Sequence, residues 1–223
     1  MSISKTLIYI MSFIFIFLLG KFCMNKFKTN LSGTVIILNG PSSVGKSSII
    51  KAFQAKQDTP WLGTGIDQLY VGVIPPVWLD DKQEHSSIMS IKKTEDEEGP
   101  IVTAVFGPDG QKVIKGMHRA IAAYANVGNN LIVDYIKYED DWLVDFKKAL
   151  KGIKVIWVGV KASLDSIIER ERKRGTSPIG HARSHYYSVH DGIDYDLILN
   201  TDLLTPEKAA DEIIKFINNP DLK

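Results

Sequence analysis

Eight residues, Gly40-Pro41-Ser42-Ser43-Val44-Gly45-Lys46-Ser47, match G-x-x-x-x-G-K-[ST] at every fixed position. Their setting counts as much as the match. Residues 34–38 before them (TVIIL) form a continuous apolar, β-branched run, the pattern of a strand covered on both faces. Residues 47–56 after them place Ile49, Ile50 and Phe53 at helical spacing. Strand, glycine-rich turn and helix together make a phosphate cradle. Gly40 and Gly45 permit backbone angles that turn successive N–H groups toward one centre, and the helix N-terminus adds about half a positive charge. Lys46 can reach the β and γ phosphates of ATP, and the Ser47 hydroxyl suits Mg²⁺. The expected nucleotide-binding set is this loop plus Ser48 of the following turn.

Two later runs repeat the buried-strand pattern, 131–133 ending in Asp134 and 154–160 (KVIWVGV). Helical patterns precede them at 118–125 and 142–150, and a highly charged helix follows at 163–174. A short strand is expected at 196–199 and a last helix at 206–218, opened by Pro206 with Glu207 in its first turn. Strands alternating with helices imply an α/β fold, a P-loop NTPase three-layer sandwich with a mostly parallel sheet. Residues 72–115 break the pattern with Pro75-Pro76, an acidic stretch at 95–98, Gly99-Pro100 and Gly107-Pro108. They read as an insertion over the acceptor site, with a hairpin expected at 101–113.

The N-terminus is a separate object. Residues 7–20 (LIYIMSFIFIFLLG) are apolar but for Ser12, with Lys5 before them and Lys21, Lys26 and Lys28 after. The run is short for a hydrocarbon core about 30 Å thick unless it extends past Lys21. A membrane anchor, a signal peptide and a buried helix are all open, but no A-x-A-like cleavage site follows. The excess of lysines after the segment favours an anchor with the catalytic domain in the cytoplasm; export through a signal peptide is the alternative. Residues 1–30 are thus anchor and linker, and 31–223 a single domain. Lys plus Arg number 27 against 26 Asp plus Glu, so no surface for nucleic acid is expected. The only cysteine, Cys23, excludes an intramolecular disulfide and leaves the domain without thiol chemistry.

A phosphate loop alone names no reaction. No guanine-reading Asn/Thr-Lys-x-Asp motif occurs, and the small size points to a kinase of a small molecule bearing a hydroxyl. Asp67, in Trp61-Leu62-Gly63-Thr64-Gly65-Ile66-Asp67, would lie beside the loop at the end of the next strand. There it could take the proton of an attacking hydroxyl, though the position also suits a helix N-cap. Asp134 ends its apolar strand as a carboxylate that contacts Mg²⁺ does, with a loop-start Asp as the plain alternative. Arg170 and Arg174, four apart on one helical face, could steady charge at the transferring phosphoryl group. Pairing of that cluster with Glu169, Glu171 and the helix C-terminus explains it equally well. Residues 170–186 would then form a lid. His181, His185 and His190 show no metal-binding pattern.

Three segments together resemble the chloramphenicol phosphotransferase family, whose members use ATP to phosphorylate a primary hydroxyl of the antibiotic. They are Ile36-Ile37-Leu38-Asn39-Gly40 running into Ser42 to Ser47, Pro60-Trp61-Leu62 with Gly65-Ile66-Asp67, and Trp157-Val158-Gly159-Val160 with Val189-His190-Asp191-Gly192-Ile193-Asp194-Tyr195-Asp196. The resemblance implies that Asp67 is the catalytic base and that Arg170 and Arg174 are lid arginines around ATP. The family's further basic residue soon after Gly175 is replaced by Thr176-Ser177-Pro178, and residues 72–115 show little that matches. Another hydroxylated acceptor, as in shikimate- or gluconate-type kinases, and a membrane-tethered ATP-binding module without transfer are the alternatives.

Overall fold

The computed structural model of the chain describes residues 32–79 and 82–219. The apolar segment at 7–20 lies outside them. No helix among the described residues is long and apolar enough to cross a membrane.

The chain runs β1 (Thr34–Asn39), α1 (Lys46–Gln54), β2 (Trp61–Gly65), α2 (Ile66–Leu69), β3 (Met89–Asp96), β4 (Gly99–Phe106), α3 (Pro108–Asn126), β5 (Asn130–Tyr135), α4 (Asp140–Ala149), β6 (Lys154–Lys161), α5 (Leu164–Arg174), α6 (His181–His185), β7 (Leu197–Asn200) and α7 (Pro206–Ile217). Five strands form one parallel sheet in the order β2-β5-β1-β6-β7. The central strand explains its own sequence. Val35 and Ile37 face a core with Ile114, Ile121, Trp142 and Phe146 of α3 and α4. Ile36 and Leu38 face the opposite core, with Phe53, Ile167 and Ile213 of α1, α5 and α7. A strand buried on both faces must be apolar at every position, which is why its pattern is continuous rather than alternating. Helix starts are fixed locally. The Ser163 hydroxyl accepts from Ser166 N at the head of α5, and Thr205 caps α7 just before Pro206.

Two expectations between 101 and 125 are corrected. The hairpin is β3 with β4, paired from Met89–Phe106 to Asp96–Gly99, and not a hairpin at 101–113. The first strand carries Lys92, Lys93, Glu95 and Asp96 on exposed positions, so no apolar alternation betrays it. The helix expected at 118–125 is the second half of α3, which begins at Pro108. Gly110 hid the first half. It sits there because a Cβ would lie 2.0 Å from the Ile88 carbonyl oxygen.

The end of β2 is set by a close approach of the same kind. A Cβ on Gly65 would meet the Asp134 carbonyl oxygen at 2.2 Å, so only glycine lets β2 finish alongside β5. Gly65→Ala should destabilise the fold by about 1–3 kcal/mol, read as a lower urea midpoint, because backbone rather than a side-chain tip must give way. An unchanged midpoint would show that the two strands can part there without cost.

Candidate active site

Strands β1, β2 and β5 deliver their carboxyl ends to one crevice. The order reverses at β1, with β5 on one side and β6 on the other, and ligands of open α/β sheets bind at such a switch point. A cavity of about 530 Å³ opens there. Ser42, Ser43 and Gly45 to Ser48 line one wall, Asp67 and Asp134 another, and Arg170 and Arg174 a third. Lys46, Asp67, Asp134, Arg170 and Arg174, the charged site candidates read from the sequence, therefore border one space. Gly40, Pro41 and Val44 stand behind the wall, Val44 fully buried.

The loop is organised around a buried ammonium. Lys46, 4% exposed, donates to the carbonyls of Gly40 (2.8 Å) and Pro41 (2.9 Å) and pairs with Asp134 Oδ1 at 3.4 Å. Burial holds its pKa below the ordinary lysine value, opposed by the negative charges of Asp134 and Asp67. Ser47 Oγ donates to Asp134 Oδ2 at 2.8 Å, so the two residues expected around Mg²⁺ are neighbours. Two left-handed residues shape the turn, Gly45 at φ 104° and Ser43 at φ 61°. Ser43 is the only described non-glycine residue with positive φ, and its hydroxyl is buried without a hydrogen-bond partner.

Asp67 lies within the four-residue α2, whose N-cap is Gly65, so it does not cap a helix. Its exposed carboxylate borders the cavity with no hydrogen bond or ion pair among the described residues. Arg170 is held at the rim. Its guanidinium donates to Thr201 Oγ1 and Thr201 O, both at 2.9 Å, and lies 3.6 Å from Asp202 Oδ1. Arg174, one turn on, has no partner among the described residues and borders the same cavity.

Of the acidic residues in that helix, Glu169 does pair one turn on, with Lys173 at 2.6 Å. Glu171 does not. It is 1% exposed and accepts from Gly180 N (2.7 Å) and Ala182 N (2.8 Å), fastening the start of α6 to α5. Arg183 of α6 in turn grips the hairpin tip, donating to Asp96, Glu98 (2.9 Å) and the Gly99 carbonyl (2.7 Å). The acidic stretch at 95–98 was a visible signal, but its partner 87 residues away was not. The distal His-Asp-Gly-x-x-Tyr-Asp piece proves to be a staple. Tyr195 OH meets Asn39 Nδ2 (2.6 Å) and His190 Nδ1 (2.7 Å), and Asp196 Oδ2 accepts from Trp157 N at 2.7 Å. Lys137, also missed, is buried, with Nζ donating to Asp140 and to the Asp191 carbonyl. Among the described residues no group of three His, Cys, Asp or Glu could hold a metal ion unaided.

Four histidines, His118, His181, His185 and His190, have pKa values pushed below the ordinary 6.5, first of all by burial, His190 to about 4. A histidine whose folded pKa is depressed binds a proton more weakly than in the unfolded chain. Stability is therefore full above pH 6.5 and lost as pH falls toward the folded values, with a slope of up to about 1.4 kcal/mol per pH unit for each proton taken up. Urea midpoints measured between pH 6.5 and about 4 should decline. A flat profile would mean these rings are protonated in the native state.

A sequence profile described as chloramphenicol phosphotransferase-like protein matches residues 33–218. A candidate O-phosphotransferase of Mycobacterium tuberculosis is 32% identical over 182 residues, covering 81% of this chain and 80% of the relative. Among solved structures, an APS kinase of Mycobacterium tuberculosis superposes with a TM-score of 0.56 at 15% identity, over 84% of this chain and 99% of that one. A sugar kinase from a Janibacter species gives 0.57 at 13% identity, over 86% and 97%. The tunicamycin resistance protein of Deinococcus radiodurans gives 0.56 at 16%, over 83% and 96%. These likenesses show a common α/β fold.

Proposed function

The chain belongs to the chloramphenicol phosphotransferase-like family, and from that premise we propose that it moves the γ-phosphate of ATP to a hydroxyl of a small, chloramphenicol-like alcohol. One observation carries the reading: an unbonded carboxylate, Asp67, shares a cavity with the phosphate loop and its lysine.

The loop amides and Lys46 hold the phosphates. Asp67 accepts the proton of the acceptor hydroxyl as its oxygen bonds to the γ-phosphorus. The bond from that phosphorus to the β–γ bridging oxygen breaks, leaving ADP and a phosphate monoester. Charge that gathers on the departing β-phosphate lies within reach of Lys46, with Arg170 and Arg174 completing the cationic wall. Ser47 Oγ and the Asp134 carboxylate fit Mg²⁺, which takes few protein oxygens and draws its remaining ligands from phosphate and water. When bound, the ion neutralises charge shared between the β and γ phosphates.

Asp67→Asn should bind ATP nearly as the wild type does while kcat falls roughly 10²–10⁴-fold, the usual worth of a positioned base. Wild-type turnover in that variant would remove Asp67 from the role. Lys46→Ala should lose both ATP affinity and rate. The acceptor is tested by ADP release across chloramphenicol, shikimate, gluconate and other alcohols. Turnover with an acceptor other than chloramphenicol would reassign the substrate, and tight ATP binding with transfer to none would overturn the kinase reading.

A further inference from the structure

His185 was set aside in the sequence as one of three histidines without a metal pattern. In the fold it lies directly behind the phosphate loop, 3% exposed, 143 residues from the backbone group it meets. Ser42 N donates to its Nε2 at 3.0 Å. An amide N–H can only donate, so Nε2 must be a bare acceptor and the ring proton must sit on Nδ1. The surroundings agree. Nδ1 lies 3.2 Å from Ser184 Oγ, and that hydroxyl spends its own proton on the His181 carbonyl at 2.7 Å, leaving a lone pair to receive Nδ1–H. Each donor in the run from Ser42 through His185 and Ser184 to His181 thus meets one acceptor.

The ring cannot slip sideways. Tyr138 packs on it edge to face at 4.9 Å between centroids and His181 at 5.1 Å. Those walls are pinned in turn. His181 Nδ1 faces the Val102 carbonyl at 3.3 Å, an acceptor, so His181 Nε2 is free to accept from Tyr138 OH at 3.0 Å.

We propose that His185 is a positioning residue of the phosphate loop, its Nε2 fixing the Ser42 amide and thereby the orientation of the loop toward phosphate. The inference rests on the kinase reading of that loop. A second proton on the ring would aim Nε2–H at Ser42 N–H, two donors head on. The groups facing the ring resist that proton: burial, the neighbouring His181 and the Lys46 ammonium all act to keep it off, while Tyr138 and Ser184 carry no charge. The carboxylates act one ring away: Glu171 on His181, already bonded to two backbone amides, and Asp134 and Asp67 on Tyr138.

The test uses the full-length chain and three measurements. Long-range ¹⁵N–¹H spectra of the nucleotide-free wild type should show His185 protonated at Nδ1 alone; the Nε2–H tautomer would overturn the inference. Deuterium exchange at the Ser42 amide should quicken about tenfold or more in His185→Phe, the expected cost of one buried hydrogen bond left unmade. His185→Gln, whose amide oxygen can take the place of Nε2, should stay within about twofold of wild type. In the transfer assay, KM for ATP should rise about tenfold in the Phe variant and recover with Gln. Unchanged exchange in the Phe variant, or a Gln variant as impaired as Phe, would sink the proposal. Should His185→Phe not fold, the tautomer and the Gln variant still decide it. Tautomer and exchange need neither nucleotide nor acceptor, so a chain that transfers no phosphate would fail the kinase reading without touching these two results.

Discussion

The buried ammonium of Lys46 is the interaction on which the site depends. A charge taken out of water is tolerated only when its donors are met, and here the loop's own carbonyls at Gly40 and Pro41 meet two of them. Of the peptide nitrogens that follow those carbonyls, that of Pro41 carries no hydrogen and that of Ser42 is met by His185 Nε2, so this side of the loop is fixed from within. Asp134 completes the arrangement with one oxygen toward Lys46 and the other toward Ser47. Asp134 can stand there because Gly65 lets β2 close against its backbone, and the same turn carries Asp67 to the rim. The loop is thus shaped before any phosphate arrives, so less ordering is left for binding to supply.

A second set of contacts binds the region between β2 and α3 to the C-terminal helices. Glu171 ties α5 to α6, Arg183 ties α6 to the hairpin tip, and Val102 N donates to the Gly180 carbonyl at 3.1 Å. The hairpin that breaks the α/β alternation is therefore clamped to the helix bearing Arg170 and Arg174. Hairpin and cationic wall are connected through three short polar links, two of them charged.

What the sequence made legible follows from where the information sits. The phosphate loop, β1, β5 and β6 were readable because burial on both faces writes a continuous apolar run and the loop motif is local. Helix α5 was readable as a highly charged helical stretch ending before Gly175. The strand β3 was not, since its exposed Lys92 to Asp96 gain their conformation from β4 across the hairpin and from Arg183 far along the chain. Glu171 and His185 were visible as residue types, but their roles are set by backbone groups that only the folded chain brings near. Trp157 and Tyr195 matched a family pattern without revealing why; in the fold the Tyr195 ring lies where a side chain on Gly159 would have to be.

Helix α5 carries two incompatible duties on adjoining faces. Arg170 and Arg174 border the phosphate cavity, and Glu171, one residue and about 100° around the axis, is sunk against backbone amides. Substitutions along the outer face at Glu169, Arg172 and Lys173 leave that phase intact. A single inserted or deleted residue does not: it would swing a carboxylate toward the bound phosphates and force a guanidinium onto two N–H donors. The outer face of this helix is therefore free to drift in composition, while the stretch as a whole is locked in length.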